Sequence, residues 1–133
     1  MDQQLPTWTL NPEGTVGPLQ IGMTEKGYLS VLMSEPKAFR RTCDSNQTIL
    51  AFNDDSVHLY LDDSGSVTKI SVFRPRRVVF HEVQLLNRPL EEVGIDLARA
   101  GQHFVEVDVG LWNERDKILL VEVDGMVDGV EFG

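Results

Sequence analysis

From Thr48 to Phe73 the apolar side chains recur at every second position, the period of an extended chain with one buried face. Three strands are predicted there, at Ile49 to Phe52, Ser56 to Leu61 and Val67 to Phe73. Asp62-Asp63-Ser64-Gly65 joins the last two as a hairpin turn, with Gly65 at the positive-φ position. Val57, Leu59 and Leu61 fall on one side of the second strand, His58 and Tyr60 on the other. In the third strand Ile70 and Val72 oppose Lys69, Ser71 and Phe73. One apolar face and one mixed face mark an antiparallel sheet covered on one side.

Outside this segment the period changes. Leu5 to Leu10 reads as a short strand, followed by a turn at Asn11-Pro12-Glu13-Gly14. Thr24 is placed to cap a helix running to about Met33, with Glu25 at the positive end of its dipole. Tyr28, Leu29, Leu32 and Met33 share one face of it, and Ser34-Glu35-Pro36 ends it. Beyond Arg74-Pro75-Arg76-Arg77 and a short strand at Val78 to Phe80, a second helix starts with Pro89 at its first position and Asn87 or Arg88 as cap. Leu90, Val93, Leu97 and Ala100 keep helical spacing up to a stop at Gly101. Strands are expected again at Phe104 to Val107, Val109 to Trp112, Ile118 to Val123 and Val127 to Phe132. Val109, Leu111, Leu119, Val121 and Val123 are assigned to their core side.

The two halves repeat an order of elements. Thr24-Glu25-Lys26 aligns with Leu90-Glu91-Glu92, and Leu19 and Leu85 precede them at equal distance. Val57-His58-Leu59-Tyr60 aligns with Val109-Gly110-Leu111-Trp112. The expected fold is therefore α+β: a single domain over 1–133 made of two degenerate helix-plus-antiparallel-meander repeats, about 17–77 and 78–133, with the helices on one face of the sheet. Its core is expected to hold Leu29, Leu32, Leu59, Ile70, Val72, Leu90, Val93, Leu97, Leu111 and Val121.

A chain of 133 residues, 41% of them hydrophobic, suffices for one core without staples. The only cysteine is Cys43, so no intramolecular disulfide can form. The N-terminal Met-Asp-Gln-Gln-Leu-Pro-Thr-Trp has neither a basic region nor an apolar run, and a cytoplasmic location without a signal peptide is expected. The longest nearly apolar run, Ile118 to Val123, contains Glu122 and is far short of a membrane span. The net charge of −9 is uneven: residues 1–90 hold ten acids and nine bases, residues 91–133 eleven acids and three bases. Such a field repels nucleic-acid phosphates and anionic lipid and attracts basic proteins or cations.

Gly17-Pro18-Leu19-Gln20-Ile21-Gly22-Met23-Thr24, followed by a helix and a break at Glu35-Pro36, resembles the Gly-Met-Thr opening of BamE/SmpA-type domains, small helix-plus-meander units of bacterial outer-membrane assembly. The doubled unit is similar to the tandem arrangement of β-lactamase-inhibitor proteins, and the short acidic chain is similar to some bacterial toxin-immunity proteins. The chain departs from the first group in having Ser34-Glu35-Pro36 after the first helix and in lacking a lipoprotein cysteine. The resemblance therefore implies an inhibitor or immunity role rather than an envelope one.

Chemistry has few footholds. His58, His81 and His103 have no second ligand at zinc spacing, and Cys43 has no activating neighbour. Asp62-Asp63-Ser64-Gly65 lacks the glycine and glutamate register of a calcium loop. Gly14, Gly17 and Gly22 do not form a phosphate loop. Arg40-Arg41 and Arg74, Arg76 and Arg77 fall in expected loops without interleaved aromatics, as solvated charge rather than a nucleic-acid platform. No enzyme activity, cofactor or metal is expected.

The candidate site is the mixed sheet face. Tyr60 and Trp112 occupy equivalent positions in the two halves and share that face with His58 and Phe73, while Glu106, Asp108, Glu114, Glu122 and Asp124 supply negative charge around it. Ile118 and Leu120 are assigned to the same side. Aromatic side chains among carboxylates suit a protein interface with a basic partner. The alternative is that terminal segments, Trp8 included, cover this face. The expected function is an immunity or inhibitor protein that neutralises a cognate, basic bacterial toxin; the alternative is a scaffold for a small ligand or a cation.

Overall fold

The computed structural model describes residues 6–32, 37–39, 48–52 and 56–133. Met33, Ser34-Glu35-Pro36, Arg40, Arg41 and Cys43 lie outside the described residues. Alternation and turn chemistry produce the elements. The chain opens with β1 (Thr7–Asn11), β2 (Thr15–Val16) and β3 (Leu19–Gln20), then α1 (Glu25–Leu32). Four strands follow: β4 (Lys37–Phe39), β5 (Thr48–Phe52), β6 (Val57–Leu61) and β7 (Val67–Phe73). The second half runs β8 (Arg77–Phe80), β9 (Val83–Gln84), α2 (Leu90–Arg99), β10 (Val105–Val107), β11 (Gly110–Asn113), β12 (Ile118–Val123) and β13 (Met126–Phe132).

The strands form two sheets. The larger has eight strands in the order β10-β11-β12-β13-β7-β6-β5-β4, every neighbouring pair antiparallel. It consists of two four-strand meanders that meet where β7 pairs with β13. Gly129 stands opposite Phe73 at this junction. A Cβ on residue 129 would lie 2.5 Å from the Phe73 ring, so glycine makes room for the aromatic to lie across the neighbouring strand. The smaller sheet has the order β3-β2-β1-β8-β9, in which β1 and β8 run parallel.

The core lies between one face of the large sheet and a layer made of both helices and the small sheet. Phe52, Val57, Leu59, Ile70, Val72, Leu111, Ile118, Leu120 and Val130 come from the large sheet. Tyr28 and Leu32 of α1, Val93 and Leu97 of α2, and Trp8, Leu10, Val78 and Phe80 of the small sheet close over them. Trp8 thus belongs to the core layer, where the Arg76 guanidinium lies 4.0 Å from its ring centroid. Arg76 is only 4% exposed, and burial pulls its pKa below the usual arginine value. Stacking of the flat guanidinium on the indole offsets part of that desolvation.

These observations correct the expected fold class. The described residues are 48% strand and 16% helix. The α+β helix-plus-meander repeat is replaced by a mostly β fold of two sheets, with helices of only eight and ten residues. The additional strands β2, β3, β4 and β9 are two or three residues long, too short to display a period. The Arg74–Arg77 reading also changes, because Arg76 is buried and Arg74 pairs with Asp128 at 2.7 Å. Pro89 is the residue before α2 rather than its first.

The faces of β12 differ from those assigned to them. Ile118 and Leu120 are fully buried, whereas Leu119 and Val121 are half-buried on the opposite side, and Val109 and Val123 are exposed. Ile118-Leu119-Leu120-Val121 is apolar on both faces, so its own sequence cannot orient it. Pairing of Ile118 with Asn113 and Phe132, and of Leu120 with Leu111 and Val130, does so. Leu120→Ala should cost about 2–5 kcal/mol of stability as a cavity mutation, and Leu119→Ala less than about 1 kcal/mol. Urea denaturation of the two variants checks this; the reverse order would mean that the two faces are exchanged.

Candidate functional site

Cross-strand register decides which side chains share the face opposite the core. Val105, Trp112, Leu119, Glu131, Ser71, His58 and Ala51 stand in one row across β10 to β5. Val107, Gly110, Val121, Gly129 and Phe73 form the next row. Tyr60 stands between Lys69 and Ile49 in a third.

The two ends of this face differ. Toward β5 and β6 it is closed: Ile49, Ala51 and Tyr60 are buried and Ser71 is wholly inaccessible. Toward β10 it is open, with Val105 43% and Val107 40% exposed and Trp112, Leu119, Val121 and Phe73 half-buried. The β10–β11 turn and the β12–β13 turn lie at one end of these strands, tied by a 2.8 Å bond from the Glu122 amide to the Val109 carbonyl. Val109 and Val123 project there, 50% and 44% exposed, among the carboxylates of Asp108, Glu122 and Asp124. The Gly125 amide donates to Glu122 Oε1 at 3.1 Å, which holds that carboxylate at the turn.

At the other end of β11 a polar clamp fixes the indole. Trp112 Nε1 donates to Glu114 Oε2 at 2.8 Å, and Lys117 Nζ donates to Glu114 Oε1 at 2.7 Å. The lysine also lies 5.8 Å from the Trp112 ring centroid. The Lys117 hydrogen bond, then that of Trp112, hold the Glu114 carboxyl below its ordinary pKa. The indole is thereby presented in one orientation, with little side-chain entropy left to lose on contact.

The expected site residues are therefore brought together only in part. Trp112, Glu114, Asp108, Glu122 and Asp124 surround the open end. His58 packs edge-on against Phe73, ring centroids 4.9 Å apart, in the middle of the face. Tyr60 lies in the closed part, 2% exposed, with Lys69 Nζ 5.0 Å from its ring centroid. Glu106 is on the opposite side of β10 and lines a groove against α2 with Ile95, Ala98 and Leu111. The sequence reading missed Val105, Val107, Leu119 and Val121 as members of the open face. Val105-Glu106-Val107-Asp108-Val109 carried the signal, a period of two with carboxylates between exposed valines.

The face places Glu131, Ser71 and His58 side by side, an acid, a hydroxyl and an imidazole. Serine is in the middle of this row, whereas nucleophilic catalysis needs the imidazole between the other two. Ser71 Oγ is buried and, among the described residues, has no hydrogen-bond partner. Asp62 Oδ1 is occupied by the turn: it accepts from the Ser64 hydroxyl at 2.7 Å, the Ser64 amide at 2.9 Å and the Ser66 amide at 3.0 Å. Those bonds lower its pKa. Among the described residues no three His, Cys, Asp or Glu side chains converge as a metal ion needs, and no helix is long and apolar enough to cross a membrane. A cavity of about 610 Å³ lies beside α2, lined by His81, Gln84, Arg88, Asp96 and Arg99. Its Arg88 and Asp96 are already paired at 2.6 Å.

Because the Glu114 pKa is depressed, the clamp on Trp112 should persist as pH falls through 4.5, the ordinary glutamate value, and release only below it. The Trp112 Nε1–H resonance followed by NMR should therefore titrate with a midpoint under 4.5. A midpoint at or above that value would show that Glu114 does not hold the indole in solution. No family model, curated protein or solved structure matches this chain.

Proposed function

We propose that this protein binds and neutralises a basic protein, in the manner of an immunity protein or antitoxin acting on its cognate bacterial toxin in the cytoplasm. The observation that carries this reading is the open end of the large sheet. Apolar side chains from β10, β11 and β12 are contiguous there, a clamped tryptophan stands among them, and carboxylates form the border. Apolar surface left open beside polar residues marks interaction sites, and tryptophan is a common interface anchor. The charge of residues 91–133, eleven acids against three bases, favours a basic partner and disfavours nucleic acid. The likeness of Gly17 to Thr24 to BamE/SmpA-type openings, and of the whole to inhibitor proteins, belongs to the same proposal. In this reading the protein works by covering its partner and performs no chemistry.

The product of the reading frame adjacent to this gene, expressed alone and together with this protein, tests the proposal. Growth arrest by the neighbour alone, rescue on co-expression and a complex in titration calorimetry are expected; a harmless neighbour or no complex contradicts it. In that complex Trp112→Ala should lose about 2 kcal/mol or more of affinity, while its melting temperature stays close to that of the parent. Association should slow as salt rises, since exposed charges are screened beyond about 8 Å at physiological ionic strength. Normal binding by a Trp112→Ala variant with a much lower melting temperature would make Trp112 a core residue instead.

A further inference from the structure

We propose that β10 is a docking edge, at which an extended basic segment of the partner pairs as a ninth strand of the large sheet. This rests on the open-face reading above and adds the mode of recognition.

Among the described residues β10 pairs only with β11, and its three residues are all exposed. Backbone parity shows which groups it turns outward. The Val109 carbonyl accepts from Glu122 and so faces β12. Successive residues of a strand point their hydrogen-bonding groups to alternate sides, so Gly110 and Trp112 face β10. Their partners Val107 and Val105 then bond inward, and Glu106 turns its N–H and C=O to the free edge. Among the described residues no backbone bond outside the β10–β11 pair engages Glu106. Such an edge is usually blunted by proline, lysine or a covering element, and β10 has neither proline nor lysine.

Both sides of this edge have places for alternate side chains. On one side are Val105 and Val107, continuous with Trp112. On the other is the groove beneath α2, about 490 Å³, where Ile95, Ala98 and Leu111 lie beside Glu91 and Glu106. Ile95 is 46% exposed there. A strand laid along β10 would set one row of side chains against the valines and the alternate row into an acidic groove. An alternation of apolar and Lys or Arg residues matches both. A second copy of this chain does not, since Glu106 and Asp108 would meet their own kind.

A short synthetic peptide of alternating lysine and valine, titrated into the isotopically labelled protein, tests this by NMR. Exchange of the Glu106 amide proton should slow about tenfold or more at saturation, with Val105 and Val107 little changed. Glu106→Pro removes the outward N–H and keeps the inward bonds, and should weaken peptide binding about tenfold. Glu106→Gln should keep the slowed exchange with a smaller loss of affinity. If Trp112 and Val121 resonances shift but Glu106 exchange does not, strand addition is wrong and the open-face reading stands. If nothing shifts, strand addition is equally wrong, and co-expression with the neighbouring gene product judges the open-face reading alone. A dimer without peptide, its Glu106 amide already protected, would give the edge to a second copy and contradict the proposal.

Discussion

Pairing of β7 with β13 is the constraint from which the rest of the structure follows. Each meander alone would leave two open edges and one apolar face to be covered. Bonded through Ile70 with Phe132 and Val72 with Val130, they present one continuous apolar face from β5 to β11. Both helices and the small sheet are used up in covering that face. Among the described residues the opposite face has no such layer at its β10 end, and β10 stands at the sheet margin. Gly129 is the local condition for this junction, because a side chain there would occupy the space of the Phe73 ring.

Much of the large sheet was legible because alternation persists where one face is polar. Val67–Phe73 and Ile118–Val123 have the bounds expected of them. The core residues Leu59, Ile70, Val72, Val93, Leu97 and Leu111 follow from period alone, while Leu29 and Leu90 pack at the core margin. The fold class was not legible, since it depends on strands of two or three residues and on a parallel pairing of β1 with β8 between distant segments. Neither leaves a local pattern. The faces of β12 were misassigned for a related reason: four successive apolar residues carry no parity of their own.

The site was legible to the same extent. Trp112 and the carboxylates at Asp108, Glu122 and Asp124 enter the candidate site from sequence because aromatic and acidic residues stand out by type. Tyr60 was placed on the correct face, yet whether a face is open depends on tertiary cover, and that part of the sheet is closed. Val109 and Val123 were expected on the core side because hydrophobicity alone does not distinguish a buried position from an exposed one. Their position separates them from the core: Val105, Val107, Val109 and Val123 are 40–50% exposed, so much of their apolar surface is not removed from water by the fold.

The central claim is that the uncovered end of the large sheet receives a basic protein. Hydrogen–deuterium exchange of this chain, alone and in complex with the neighbouring gene product, measures it most directly. The account expects slowed exchange confined to β10, β11, β12 and the turns at Asp108 and Asp124. Protection at the small sheet, with β10 to β12 unchanged, would contradict it.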